Sequence, residues 1–400
     1  MCLIILAYKK DVLRKLLFTF FATFFLSIFA FSQTDSCGLR ISLLTCAPGE
    51  ELYSTFGHTA LRVQDASEGS DLVFNYGTFE FTPDFNIKFL RGKLLYSLSV
   101  ESFSDFLYTY QIERRSVREQ LLQLNCAEKL RLKNALLVNA REENRYYRYD
   151  FLFDNCTTRA GDIVARNTDT AVVFKNILRE SVPTFRDLIH SYLDIGGQHW
   201  SELGIDILLG AKLDRKVTNR ESMFLPDYLL RGFDSASVGQ HGLALPPQTI
   251  LKMPSPLGGK QFFTPGVILS FLLGIFILLS LVQRPWATAF VKVLDFMFFF
   301  VLGLAGWLLL FMWFGTDHKV CANNYNLLWA FPTHLAGAFF VHSKKNWVRI
   351  YFAIVFWLAV ALGATWFFLP QQMNPALIPV LLMIVYRSRI ISKKRTNANK

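Results

Sequence analysis

Two metal-binding signatures are missing from this chain of 400 residues. It has no Cys-x-x-Cys pair and no His-Glu-x-x-His segment, so no metal centre is expected, and no cofactor either. Charge is scarce: Asp, Glu, Lys and Arg make up 18% of the residues, against 52% hydrophobic and 15% aromatic. With a mean hydropathy of +0.29, the chain is too apolar for a purely water-soluble protein of this length. A lipid-attachment site is also lacking, because Thr34-Asp35-Ser36 ahead of Cys37 is not the small apolar lead-in that a lipobox requires.

The apolar residues gather at the two ends. Residues 1–32 carry Lys9, Lys10, Arg14 and Lys15, then the apolar run Leu16 to Phe31, the pattern of a signal peptide or an uncleaved anchor. Residues 36–260 have the mixed texture of a folded extracytoplasmic domain. Residues 265–386 read as a membrane bundle of about five spans: Pro265 to Gln283, Phe290 to Phe314, Leu327 to Val341, Val348 to Leu369 and Ala376 to Tyr386. The third and fifth are short for a bilayer. Arg284 and Lys292, then Lys344, Lys345 and Arg349, then the tail 387–400 with its Arg and Lys residues fall on alternate sides, while the opposite loops hold only Lys319. Positive residues stay inside, so the tail is expected in the cytoplasm and the large domain outside the cytoplasmic (inner) membrane. The net charge of +11 is then a matter of topology and membrane surface, and no nucleic-acid partner is expected.

Within 36–260, Leu39 to Leu44, His58 to Val63, Asp71 to Gly77, Leu94 to Val100, Val117 to Leu124 and the aromatic Tyr146 to Phe153 read as strands. Ala127 to Asn144 reads as a helix. The expected class is α+β, an antiparallel sheet with helices packed on it. Export exposes Cys37, Cys46, Cys126, Cys156 and Cys321 to an oxidising compartment, where Cys37 and Cys46 are a candidate pair for a short disulfide loop, a pairing the sequence leaves open.

Two residues carry reactive chemistry. Cys156 follows Asp154-Asn155 at what reads as a helix start, where unpaired amides and the helix dipole stabilise a thiolate. His58, after Gly57, begins a strand and supplies a base. Asn75 on the facing strand is the first candidate to orient the imidazole, with Asp71 second, and Asn155 and Asp154 are oxyanion or orienting candidates. Tyr53, Arg159, His318 and Trp329 are candidate contacts to a substrate or headgroup; His318 also lies where it would dock the outer domain, and His334 falls inside the third span. Each residue has a plainer reading, an exported cysteine being often buried or bridged. The two together favour catalysis.

The stretches Ser54 to Val63, Asn75-Tyr76-Gly77-Thr78-Phe79, Asp154 to Arg159, Trp200 to Gly204 and Phe224-Leu225-Pro226-Asp227-Tyr228 resemble the periplasmic domain of the Lnb-type lipoprotein N-acyltransferases. The order of histidine before cysteine is also similar to the permuted papain-like (NlpC-like) group that includes lecithin retinol acyltransferase. The resemblance implies a cysteine-nucleophile enzyme that moves a fatty acyl chain, through a thioester on Cys156, onto the α-amino group of a lipoprotein's lipid-modified N-terminal cysteine. Membrane lipids and lipoproteins are the implied partners. The rivals are an NlpC-type cysteine peptidase or amidase acting on cell-wall peptide, and a catalytically inactive membrane scaffold.

Overall fold

The computed structural model describes residues 37–80, 82–178, 181–255, 257 and 262–393. The signal or anchor segment at 1–32 and the end of the basic tail lie outside them.

Alternating apolar residues build a seven-stranded antiparallel sheet. Its strands are β1 (Leu39–Cys46), β2 (His58–Asp65), β3 (Ser70–Thr78), β4 (Leu95–Ser102), β5 (Val117–Leu121), β6 (Tyr146–Arg148) and β7 (Gln248–Leu251), in the order β7-β5-β1-β2-β3-β4-β6. β2 is therefore the middle strand. One face buries Ile41, Leu43, Leu61, Val63, Phe74 and Tyr76, and the other buries Leu44, Cys46, Ala60 and Val73, as the two-residue period of a strand demands. Helices α1 (Phe85–Leu90) and α2 (Phe103–Ile112), which the strand pattern gave no sign of, flank β4; α3 (Cys126–Asn139) follows β5 and α4 (Cys156–Arg166) follows β6. Three longer ones close the domain: α5 (Phe185–Ile195), α6 (His199–Leu208) and α7 (Pro226–Ser235), with a single turn at Asn219–Ser222 between the last two. Phe106 and Tyr110 of α2 cover the second face; Leu132 and Leu136 of α3, Ala160 and Val164 of α4, and Leu229 and Phe233 of α7 cover the first.

The aromatic strand expected over Tyr146 to Phe153 stops at Arg148. The Asp150 carboxylate accepts from the Leu152 and Phe153 amides at 3.0 and 3.1 Å, and this Asx turn competes with the ladder. The candidate Cys37–Cys46 pairing is not the one formed. β1 is extended, so its two ends stand roughly 25 Å apart at about 3.3 Å per residue. Cys37 bonds instead to Cys126 at the start of α3, 89 residues on, and Cys46 is a buried free thiol.

The C-terminal part holds α8 (Pro265–Leu281), α9 (Pro285–Phe314), α10 (His334–Phe340), α11 (Asn346–Thr365) and α12 (Ile378–Lys393). Among the described residues three helices are long and apolar enough to cross a membrane, Pro285–Phe314, Asn346–Phe368 and Pro375–Lys393; α8, at 17 residues, is shorter. The segment expected as the third span is not one helix. It is a 3-10 turn at Tyr325–Leu328, a non-helical stretch, then the seven residues of α10. Pro332 has no N–H to continue a helix, and such backbone is tolerated at membrane depth where protein surrounds it: Asn326, Trp329, Ala330 and His334 are all buried. Arg387, expected in the tail, lies inside α12 with its guanidinium on Asp295 of α9 at 2.6 and 2.8 Å, both side chains buried.

Helix α6 joins the two parts. Leu203 packs into the apolar core of the membrane helices, and Asp206 accepts from Arg186 at 2.5 Å, bonds His190 at 2.8 Å and accepts from Asn374 at 2.8 Å. A second seam lies at the β3–β4 connection, where the Asp317 amide donates to the Arg91 carbonyl at 3.0 Å and His318 Nε2 meets the Phe89 carbonyl at 2.9 Å. This contact is of the docking kind considered for His318.

Candidate active site

Gly57 fixes how His58 enters the sheet. Its φ is +78°, and a Cβ there would stand 2.7 Å from the Cys46 carbonyl, so any larger residue would strain the turn. His58 then pairs with Cys46 across β1 and β2. On the other side Leu61 stands opposite Phe74, which puts Asn75 diagonal to His58 on the same face, within reach of long side chains. His58 Nε2 and Asn75 Oδ1 are 2.5 Å apart, and Asn75 Nδ2 donates to Glu101 at 3.2 Å. That second bond orients the amide. With only an acceptor facing Nε2, the neutral imidazole keeps its proton there, and Nδ1 is left as the base. Asp71, the second candidate for this task, is instead held by Arg62 at 2.6 and 2.8 Å.

Cys156 reaches the same spot from the start of α4. Asn155 is the N-cap: its Oδ1 accepts from the Thr157 and Thr158 amides at 2.8 and 2.9 Å, while its Nδ2 donates to the carbonyls of Phe151 and Phe224. Such a cap is worth about 1 kcal/mol. With every polar atom committed, Asn155 orients the helix and has no N–H left for an oxyanion. Asp154 is likewise engaged, in a two-point ion pair with Arg159 at 2.6 and 2.8 Å. The Arg159 guanidinium in turn lies 3.5 Å from the centre of the Tyr147 ring, so this arginine is occupied in the wall of the site.

The electrostatics couple the thiol to the imidazole. Burial raises the Cys156 pKa, but the facing His58, with the Thr59 amide and the Thr157 hydroxyl, more than reverses it and brings the thiol down to about 7. Burial works against the His58 cation too, yet Cys156 and Asn75 outweigh it and leave the histidine above its ordinary value. Both side chains are half-buried, so the pair is reachable.

Two other candidates lie away from this pair. Tyr53 is exposed on a shallow cleft with Ile112, Glu113 and Arg114. Trp329 is corrected as a headgroup contact: it is buried, with its indole N–H on Asn326 Oδ1 at 2.9 Å. His334, fully buried, meets the Tyr351 hydroxyl at 2.7 Å. Sequence reasoning missed Glu101 and Tyr147. Glu101 sits on β4, whose register on β3 no local pattern gives away; Tyr147 reads as one of several core aromatics.

A family model described as the Lnb N-terminal periplasmic domain matches residues 29–192, and one described as the Lnb transmembrane domain matches residues 258–398. No curated protein and no solved structure matches the chain.

Proposed function

We propose that this chain, which belongs to the Lnb family, is a lipoprotein N-acyltransferase of permuted papain-like build, working outside the inner membrane from a bundle of five spans with its C-terminus in the cytoplasm. The observation that carries the reading is the coupled Cys156–His58–Asn75 array on a domain fastened to membrane helices. His58 Nδ1 takes the thiol proton, and Cys156 Sγ attacks the carbonyl carbon of a lipid ester. The electron pair moves to the carbonyl oxygen beside the start of α4, where amides and the helix dipole favour negative charge. Collapse expels the lipid alkoxide, which leaves as an alcohol with the proton from His58. The α-amine of the lipoprotein's modified N-terminal cysteine then attacks the thioester, gives a proton to His58 and leaves as the amide. Thiolate is restored.

The β3–β4 connection supports a lipid substrate over a cell-wall peptide. It runs from beside Cys156 at Gly77 to the membrane-domain loop at Asp317 and His318. Along it Ile87, Phe89 and Leu90 are exposed beside Lys88 and Arg91, an apolar edge with cations that suits the headgroup level of a bilayer. A site pressed against that surface is also partly dry, which lets an amine compete with water for the thioester.

The test is mass spectrometry of lipoprotein N-terminal peptides from cells with the wild-type protein, a deletion, or Cys156→Ala at matched expression. The N-acyl group is expected to vanish from both defective strains. Unchanged N-acylation in all three would overturn the reading.

A further inference from the structure

One buried polar atom beside Cys156 is left without an acceptor. The Tyr147 hydroxyl is buried, the residue being 7% exposed, and no partner takes its proton among the described residues. The neighbouring Gly77 amide is itself a donor and leaves that proton uncommitted. An O–H buried without an acceptor costs about 1–3 kcal/mol, so an uncompensated one calls for an explanation in function.

The surroundings give one. Gly77 lies at a β-bulge, where the β3–β4 register shifts between Tyr76 and Thr78, and its φ is +90°. Because it has no side chain, a small clear space opens there. A methyl group built on Gly77 would stand 3.5 Å from Cys156 Cβ, 4.0 Å from His58 Cε1 and 4.0 Å from the Tyr147 oxygen. The side chains of Cys156 and His58 and the unused donor thus border one small space, the kind of site a reacting carbonyl needs. Tyr147 is held rigidly: Arg159 stacks on its ring, and Tyr76 meets it edge-on with ring centres 6.4 Å apart. Burial and the adjacent Cys156 push its pKa upward, which keeps the phenol protonated and a donor.

We infer that Tyr147 is a catalytic residue whose hydroxyl donates to the oxyanion formed when Cys156 attacks an acyl carbonyl, alongside the Cys156 backbone amide. As Sγ bonds to the carbonyl carbon, the π pair becomes a third lone pair on oxygen, and the phenol stabilises it by a charge-assisted hydrogen bond without giving up its proton. The Cys156 amide is available because the first N–H groups of a helix have no intrahelical acceptor and the Asn155 cap takes only the next two. This inference rests on the acyl-transfer reading above.

The experiment uses the full-length protein in detergent micelles with p-nitrophenyl octanoate, following S-octanoyl-Cys156 by mass spectrometry. In parallel, the rate of Cys156 alkylation by iodoacetamide, a reaction with no oxyanion, is measured from pH 5 to 9. Tyr147→Phe is expected to slow acylation at least 10-fold, towards the roughly 100-fold loss typical of a missing oxyanion donor, with alkylation rate and midpoint unchanged. Acylation at the wild-type rate overturns the inference. So does an equal slowing of both reactions or a shifted alkylation midpoint, since the phenol would then serve the resting thiol. If wild-type Cys156 takes no acyl group at all, the acyl-transfer reading itself fails and this inference falls with it.

Discussion

The end of β1 and the start of α4 each bring a cysteine up to His58, and the two thiols are driven in opposite directions. Cys46 is its cross-strand partner and is buried; burial dominates there, the Tyr110 hydroxyl and Arg115 do not offset it, and the thiol is pushed up to about 12. Burial raises the Cys156 thiol too, but it faces the imidazole, the Thr59 amide and the Thr157 hydroxyl, and is brought down to about 7. At neutral pH roughly half of Cys156 is thiolate, whereas Cys46 is thiol almost entirely. Nearness to a histidine along the sheet is therefore not enough. A reactive thiol needs the imidazole in its line of attack and donors around its sulfur.

Replacing His58 by Ala should collapse the contrast most. Without the cation the thiolate loses its main stabilising partner, so its pKa rises towards the ordinary 8.5 to 9. Wild-type alkylation of Cys156 should climb through pH 7 and level off by pH 8 to 9; the variant should still be climbing at pH 9 and should react tens-fold more slowly at pH 7. Acyl transfer, which needs the base as well, should fall about 10³-fold. A profile that stays at 7 would mean that the helix start alone activates the thiol.

Asn75→Ala tests how far orientation matters. The imidazole keeps its chemistry but loses the 2.5 Å contact at Nε2, and misalignment of this kind costs on the order of 10- to 100-fold in turnover. Glu101→Gln, which weakens only the grip on Asn75, should cost a few-fold. Equal losses for the two would assign Glu101 a more direct part. The smallest effect belongs to Cys46→Ala: turnover within a factor of about two and a stability loss of about 1 kcal/mol, read by acylation rate and thermal melting. A large activity loss there would erase the distinction between the two thiols.

How much of this was legible in the sequence varied with the range of the interaction. Cys156 at a capped helix start and His58 after a glycine are local patterns, and Asn75 followed from the alternation of a hairpin. The disulfide stayed open in the sequence because closeness along the chain is no guide to closeness in space, and an extended β1 separates Cys37 from Cys46. Hydropathy marked the region around Trp329 as apolar but cannot register that Pro332 interrupts the backbone ladder there. Arg387 looked like one more basic residue of a tail, and only its pairing with Asp295 separates it from Arg389. Glu101 and Tyr147 depend on strand register and on what a glycine leaves empty, and neither has a signature in composition or spacing.

Helix α6 ends in an unusual way. Several of its last carbonyls are met from far along the chain: Asn326 Nδ2 donates to Asp206 O at 2.8 Å, Asn324 Nδ2 to Ile207 O and Leu208 O at 2.7 and 3.0 Å, and Gln371 Nε2 to Leu209 O at 3.2 Å. All three donors come from loops between the membrane helices, more than a hundred residues further along. Cutting the chain near residue 260 would remove these donors, leaving Leu209 O with Arg186 Nη2 at 3.2 Å, and would take Asn374 away from the Asp206 carboxylate that holds Arg186. The end of this helix in the outer domain is thus completed by side chains that the membrane part supplies, and the two parts share one hydrogen-bonded boundary.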